Sequence, residues 1–183
     1  MNEEHPLLID TRSLPRQPGA SRRLTATVTP DSDIGNEVVA VADRPVEVDV
    51  LLESVLDGIL ATGSADIELT GECVRCLDPL TSPLPLSFRV FFTYPGAEAV
   101  AEDDDIVPLD GHILDLRPAF RDAMVLALPL SPVCRVDCPG LCADCGARLD
   151  DDPGHAHERS DPRLAVLEQL REDLSRETGD EGD

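Results

Sequence analysis

Four short ligand pairs constrain the fold most: Cys73-Val-Arg-Cys76, Cys134-Arg-Val-Asp-Cys138, Cys142-Ala-Asp-Cys145 and His155-Ala-His157. Four of the six cysteines and two of the four histidines fall between Cys134 and His157. A Cys-x-x-Cys turn directs two thiolates to one side of a tight backbone knuckle, where both reach one tetrahedral ion at about 2.3 Å. Gly146 follows the second such turn, where the knuckle wants an unhindered backbone. His155 and His157 are two residues apart, so an extended chain places both rings on one face. The fold must bring these pairs together.

Four pairs combine into two sites in three ways, and spacing alone leaves the choice open. Closing the shortest loop first favours a local site of zinc-ribbon type from Cys142, Cys145, His155 and His157. Cys73, Cys76, Cys134 and Cys138 then make a four-cysteine site. The rival is a single site built from Cys73, Cys76, Cys142 and Cys145. Eight ligands around two structural zinc ions leave no coordination position open for catalysis. A thioredoxin-type redox role for Cys73 and Cys76 is disfavoured, because that motif belongs at a strand-to-helix junction of a βαβ unit. His157-Glu158 follows Cys142-Ala-Asp-Cys145, the reverse of the order in zinc deaminases. The bland alternative is that His155 and His157 are ordinary exposed residues of an acidic loop. His5 and His112 have no evident partner in the pattern.

Upstream, the periodicity is that of strands. Leu7-Leu8-Ile9 reads as an edge strand, and Leu24 to Val28 and Val38 to Val41 as two more, separated by turn-forming Pro30, Asp31, Ser32, Asp33 and Gly35. Val46, Val48, Val50 and Leu52 alternate with Glu47, Asp49, Leu51 and Glu53, a strand with one wet face. Asp57-Gly58 predicts a tight turn through a glycine of positive φ, and Ile59 to about Thr70 the returning strand. Pro79, Pro83 and Pro85 should break the chain before a further strand, Leu86 to Phe92. The acidic run from Glu98 to Asp105 reads as a solvated loop. Leu116, Phe120, Met124 and Ala127 recur at helical spacing after Asp115, a suitable N-cap. Asp161-Pro162 opens a last helix with a stripe of Leu164, Leu167, Leu170 and Leu174, and the tail from Thr178 reads as disordered. The expected architecture is α+β: an antiparallel meander with a covering helix over 1–133, a small cysteine/histidine zinc-ribbon-like module and terminal helix over 134–176, and an acidic tail over 177–183.

Composition narrows the partners. The formal net charge is −22, every basic residue is an arginine, and no basic stripe is present. Counterion release from nucleic acid needs clustered cations, so any RNA contact should be local or indirect. An anionic membrane is disfavoured likewise, and no apolar stretch approaches the ~20 residues that span a bilayer. A basic protein is the natural electrostatic partner, with a merely solubilising acidic surface as the bland alternative. The first residues lack a basic region followed by an apolar run, and close cysteine pairs suit a reducing compartment, so the expected location is cytoplasmic. Phosphate-cradling glycine loops and Ser–His–Asp arrangements are missing from the pattern, and no small-molecule substrate is indicated.

Glu72-Cys-Val-Arg-Cys-Leu77, Leu126-Ala-Leu-Pro-Leu-Ser-Pro132, Cys138-Pro-Gly-Leu-Cys-Ala-Asp-Cys-Gly146 and Asp161-Pro-Arg-Leu-Ala-Val-Leu167 resemble, in order and spacing, the YceD family of large ribosomal RNA subunit accumulation proteins. The resemblance covers about residues 70 to 170. It implies a bacterial cytoplasmic protein needed for accumulation of 23S ribosomal RNA, often encoded beside a small basic ribosomal protein. It also implies paired cysteines at Cys73, Cys76, Cys142 and Cys145; where this chain has His155-Ala-His157, many members carry a Cys-x-Cys pair, and others lack the downstream module. The expectation is a non-enzymatic factor in large-subunit assembly that binds a basic ribosomal protein or an assembly factor. The alternatives are a metal- or thiol-dependent enzyme of ribosomal RNA processing and a general zinc-stabilised interaction module.

Overall fold

The computed structural model describes residues 5–31, 33–95 and 106–157, together with 167, 170 and 171. The chain divides into two compact units, Met1–Cys138 and Pro139–Asp183. The boundary follows Cys138, which leaves Cys134 and Cys138 with the sheet.

The first unit is built on β2 (Ser21–Val28), β3 (Val39–Val41), β4 (Val46–Val55), β5 (Gly58–Glu72), β6 (Pro79–Thr93) and β7 (Ile106–Pro108), in the order β2-β4-β5-β6-β7. All neighbours are antiparallel except β6 and β7. β5 is long enough to pair with β4 along its first half and with β3 at Leu69–Gly71 along its second. The alternation read from the sequence sets the faces: Val46, Val48, Val50 and Leu52 are buried, and so are Ala65, Ile67 and Leu69 on β5. The core closes under the helix α1 (Arg117–Ala127), whose Phe120 and Met124 are buried and whose Phe120 ring lies 6.1 Å from that of Phe88. This is an α+β fold dominated by antiparallel sheet.

Three local features differ from expectation. The β4–β5 turn is Leu56-Asp57, because Val55 pairs with Gly58, and neither turn residue nor Gly58 has positive φ. Gly58 is required for space instead: a Cβ there would lie 2.0 Å from the Phe92 carbonyl oxygen. Pro79, Pro83 and Pro85 lie inside β6 rather than before it. All three sit at odd positions, so their ring nitrogens share one side of the strand. That is the side away from β5, where among the described residues no strand pairs until β7 joins at Phe91, and proline is tolerated where a strand needs no donor. The helix is entered through Leu116, with Asp115 one residue earlier as the last residue of β8 (Ile113–Asp115); the Asp115 carboxylate accepts the Arg117 backbone N–H at 3.0 Å.

The Leu7–Ile9 run belongs to β1 (Leu8–Asp10), which pairs with β8 in a separate two-stranded sheet. Residues Glu98–Asp105, the opening of the last helix at Asp161-Pro162 and the tail lie outside the described residues. Leu167, Leu170 and Arg171 are helical, and both leucines are exposed.

Candidate metal centres

Two groups of four donors gather, one in each unit: Cys73, Cys76, Cys134 and Cys138, and Cys142, Cys145, His155 and His157. Within each group the donor atoms lie within 4.8 Å of one another.

The first group sits where β5 ends. Cys73-Val-Arg-Cys76 forms a knuckle closed by the Leu77 N–H donating to the Cys73 carbonyl at 2.8 Å and the Cys73 N–H to the Asp78 carbonyl at 2.9 Å. The segment after α1 reaches this knuckle through Val74 N–H to the Pro132 carbonyl, 2.9 Å, and the Arg75 guanidinium to the Cys138 carbonyl, 2.8 Å. Cys73, Cys76 and Cys138 are buried, Cys134 exposed. Sulfur separations are 3.9 Å for Cys73–Cys138 and 3.7 Å for Cys76–Cys134. The edge of a tetrahedron with 2.3 Å metal–sulfur bonds is about 3.8 Å, so the spacing suits one four-coordinate ion.

The second group repeats the knuckle. Gly146 N–H donates to the Cys142 carbonyl at 2.9 Å, and Cys142 N–H to the Ala147 carbonyl at 2.8 Å. Gly146 has φ 72° and Leu77, its counterpart, φ 61°. A bridge between Leu141 and Arg148 and a turn through Asp152 bring the histidines back: Cys145 Sγ lies 3.2 Å from both His155 Nε2 and His157 Nε2, which are 2.9 Å apart. These edges are a few tenths of an ångström inside the about 3.3–3.6 Å of a mixed sulfur–nitrogen tetrahedron.

Electrostatics agree with the donor sets. Burial pushes the Cys73 thiol up, but the Cys134, Cys76 and Arg75 N–H groups outweigh it and bring the thiol down to about 6. Cys76 has the Asp78 N–H to lower it, yet burial and the neighbouring sulfurs push it up to about 12. Cys134 is raised by Cys138 and by burial. Crowded thiols release the first proton easily and resist the rest, and a cation at their centre removes that resistance. In the second group the Asp144 N–H, 3.4 Å from its sulfur, holds Cys142 down at about 6. Both groups can therefore hold a metal ion. Arg75, Leu77, Asp78, Asp144 and Asp152 escaped the sequence reading; only their positions beside the ligand pairs could have flagged them. His5 and His112 join neither group.

Among the described residues, a mainly antiparallel sheet with a covering helix, and two Cys/His donor groups spaced so that each could hold a metal ion, mark the class of protein to which the chain belongs. The profile of the family described as "Large ribosomal RNA subunit accumulation protein YceD" matches residues 61–171, the stretch that holds both centres. Uncharacterized proteins of Mycobacterium bovis and Mycobacterium tuberculosis are each 39% identical over 168 residues, covering 90% of this chain and 81% of theirs. An uncharacterized protein of Mycobacterium leprae is 37% identical over 171 residues, 90% of this chain and 77% of its own. The uncharacterized protein YlbN of Bacillus subtilis is 26% identical over 116 residues, 58% and 65% respectively. No solved structure matches. The chain belongs to the YceD family.

Proposed function

We propose that this chain is a non-enzymatic, cytoplasmic factor in large ribosomal subunit assembly that supports 23S ribosomal RNA accumulation by holding a basic ribosomal protein or assembly factor. Zinc fills both centres in this reading and acts as structural cement, its binding energy serving as folding energy. The family match supports the ribosomal part. The outward face of the sheet supports the partner's chemistry: Glu47, Asp49 and Glu53 on β4 share that face with Asp66, Glu68 and Glu72 on β5. A groove of about 510 Å³ on it is lined by Pro45 and Pro85 and by Glu47, Asp49 and Asp66. Unlike charge across such a surface steers encounter and sets specificity. Among the described residues no helix is long and apolar enough to cross a membrane.

Depletion followed by sucrose-gradient analysis tests the reading. The expected outcome is loss of large subunits with a fall in 23S relative to 16S RNA; unchanged subunit profiles would defeat it. Capture with the purified chain should recover a basic protein, lost in the triple variant Glu47→Gln/Asp49→Asn/Asp66→Asn. Salt-sensitive recovery of RNA without any ribosomal protein would instead favour direct RNA contact.

A further inference from the structure

The two donor sets differ in a way that their shared knuckle conceals. In the first, three of four sulfurs are buried and one is exposed. In the second, Cys145 and His157 are exposed and Cys142 and His155 half-buried. A competing ligand reaches an exposed donor without opening the fold, so the second set has the easier route for exchange.

The second set also carries a carboxylate behind one ligand. His155 Nε2 faces Cys145 Sγ and His157 Nε2, which makes Nε2 the donor atom. Its Nδ1 lies 3.6 Å from Asp152 Oδ2. Asp152 is held in place by its own turn: its Oδ1 accepts the Gly154 N–H at 3.3 Å and its carbonyl accepts the His155 N–H at 3.0 Å. A carboxylate placed near Nδ1 favours the Nδ1–H tautomer and so leaves Nε2 as the lone-pair nitrogen available to a metal ion.

We propose that the Cys142/Cys145/His155/His157 centre is the exchangeable metal site of the two, and that Asp152 is the positioning residue that sets how tightly it holds its ion. This rests on the reading of both groups as zinc sites. Asp152→Asn is the informative variant, because the amide oxygen still accepts the Gly154 N–H while the negative oxygen facing His155 is lost.

The test uses the full zinc-loaded chain challenged with excess 4-(2-pyridylazo)resorcinol. Wild type is expected to release about one ion per chain quickly and about one slowly, as four-coordinate ligand counting gives. Asp152→Asn should weaken the ion's hold at the fast site roughly 10- to 100-fold, the usual cost in affinity of losing such a partner, read as a faster fast phase, and leave the slow phase unchanged. Nitrogen-15 imidazole spectra should show His155 as the Nδ1–H tautomer in zinc-loaded wild type. Single-phase release, an unaltered fast phase in the variant, or metal on Nδ1 would overturn the proposal while two bound ions left the zinc reading standing. A wild-type chain without a second ion would overturn both.

Discussion

Leu77 and Gly146 stand at the same place in two matching turns, and only one is a residue that accepts left-handed backbone freely. A side chain at positive φ costs about 1–2 kcal/mol, and glycine loses about 0.5–1 kcal/mol more chain entropy on folding. Leu77→Gly should therefore stabilise the protein by roughly 0.5–1 kcal/mol, the difference of those terms. Gly146→Ala should destabilise it by about the same amount, since nothing lies within 4 Å of the added Cβ and only conformation is penalised. Urea titrations of both variants decide it; shifts of the same sign would refute the equivalence of the knuckles. Gly146 was legible in the sequence because glycine after a Cys-x-x-Cys advertises the turn. Leu77 was not, because no leucine advertises positive φ. Asp115 offers a second test at this scale. The Arg117 guanidinium beside it holds its carboxyl below the usual carboxylate range. A depressed folded value contributes stability that is present above the unfolded pKa of about 3.9 and lost as pH falls through the folded value. In 1 M salt, which screens the general repulsion, wild type should lose stability as pH drops below about 4, and Asp115→Asn should lose less over that interval.

Among the elements, β6 is the instructive one. Read as sequence, its prolines broke the chain before a strand that began at Leu86; in the fold they lie within the strand along an edge, and the even spacing that keeps them on one side was the available clue. Swapping the parity should matter. Pro83→Ala is expected to stay within about 0.5 kcal/mol of wild type, as surface substitutions do. Ser82→Pro removes a donor from the β5 ladder and should cost about 1–3 kcal/mol, the penalty of leaving its backbone partner unsatisfied. Equal effects in thermal unfolding would mean that the free side has been misassigned. The strands with clean alternation, β4 and β5, were legible because burial on one face writes itself as period two. The pairing of β1 with β8 was not, since Ile9 and Leu114 meet across more than a hundred residues and neither short run records its partner. Phe120 and Met124 announced the helix, whose length suits its one buried stripe.

For the whole molecule the decisive quantities are charge and cross-linking. A net charge of −22 works against compactness, and the proposed ions oppose it by closing loops. Treated as cross-links, a bridge over the 58 residues from Cys76 to Cys134 is worth about 4 kcal/mol, and one over the 10–12 residues from Cys145 to His155 and His157 about 3. Zinc removal should therefore lower the unfolding midpoint of the full chain, and Cys73→Ser should lower it further than Cys145→Ser; calorimetry with parallel zinc analysis checks both. The ligand pairs themselves were legible because each is local. Which pairs meet was favoured only by loop length, the short Cys142-to-His157 loop closing on itself; that the sheet rim delivers Cys73 and Cys76 to Cys134 and Cys138 is long-range and was not written in the pattern.

The same separation between Cys76 and Cys134 also orders events in time. At roughly 5–20 residues per second of synthesis, the first knuckle exists about 3–12 s before its second pair of sulfurs has been joined to the chain. The second knuckle waits about 0.5–2.4 s for its histidines at the same rates. In the proposed zinc reading, a nascent chain thus carries the Cys73 and Cys76 thiols uncommitted for longest, and the four-cysteine centre takes the longer of the two to close once its first knuckle is made.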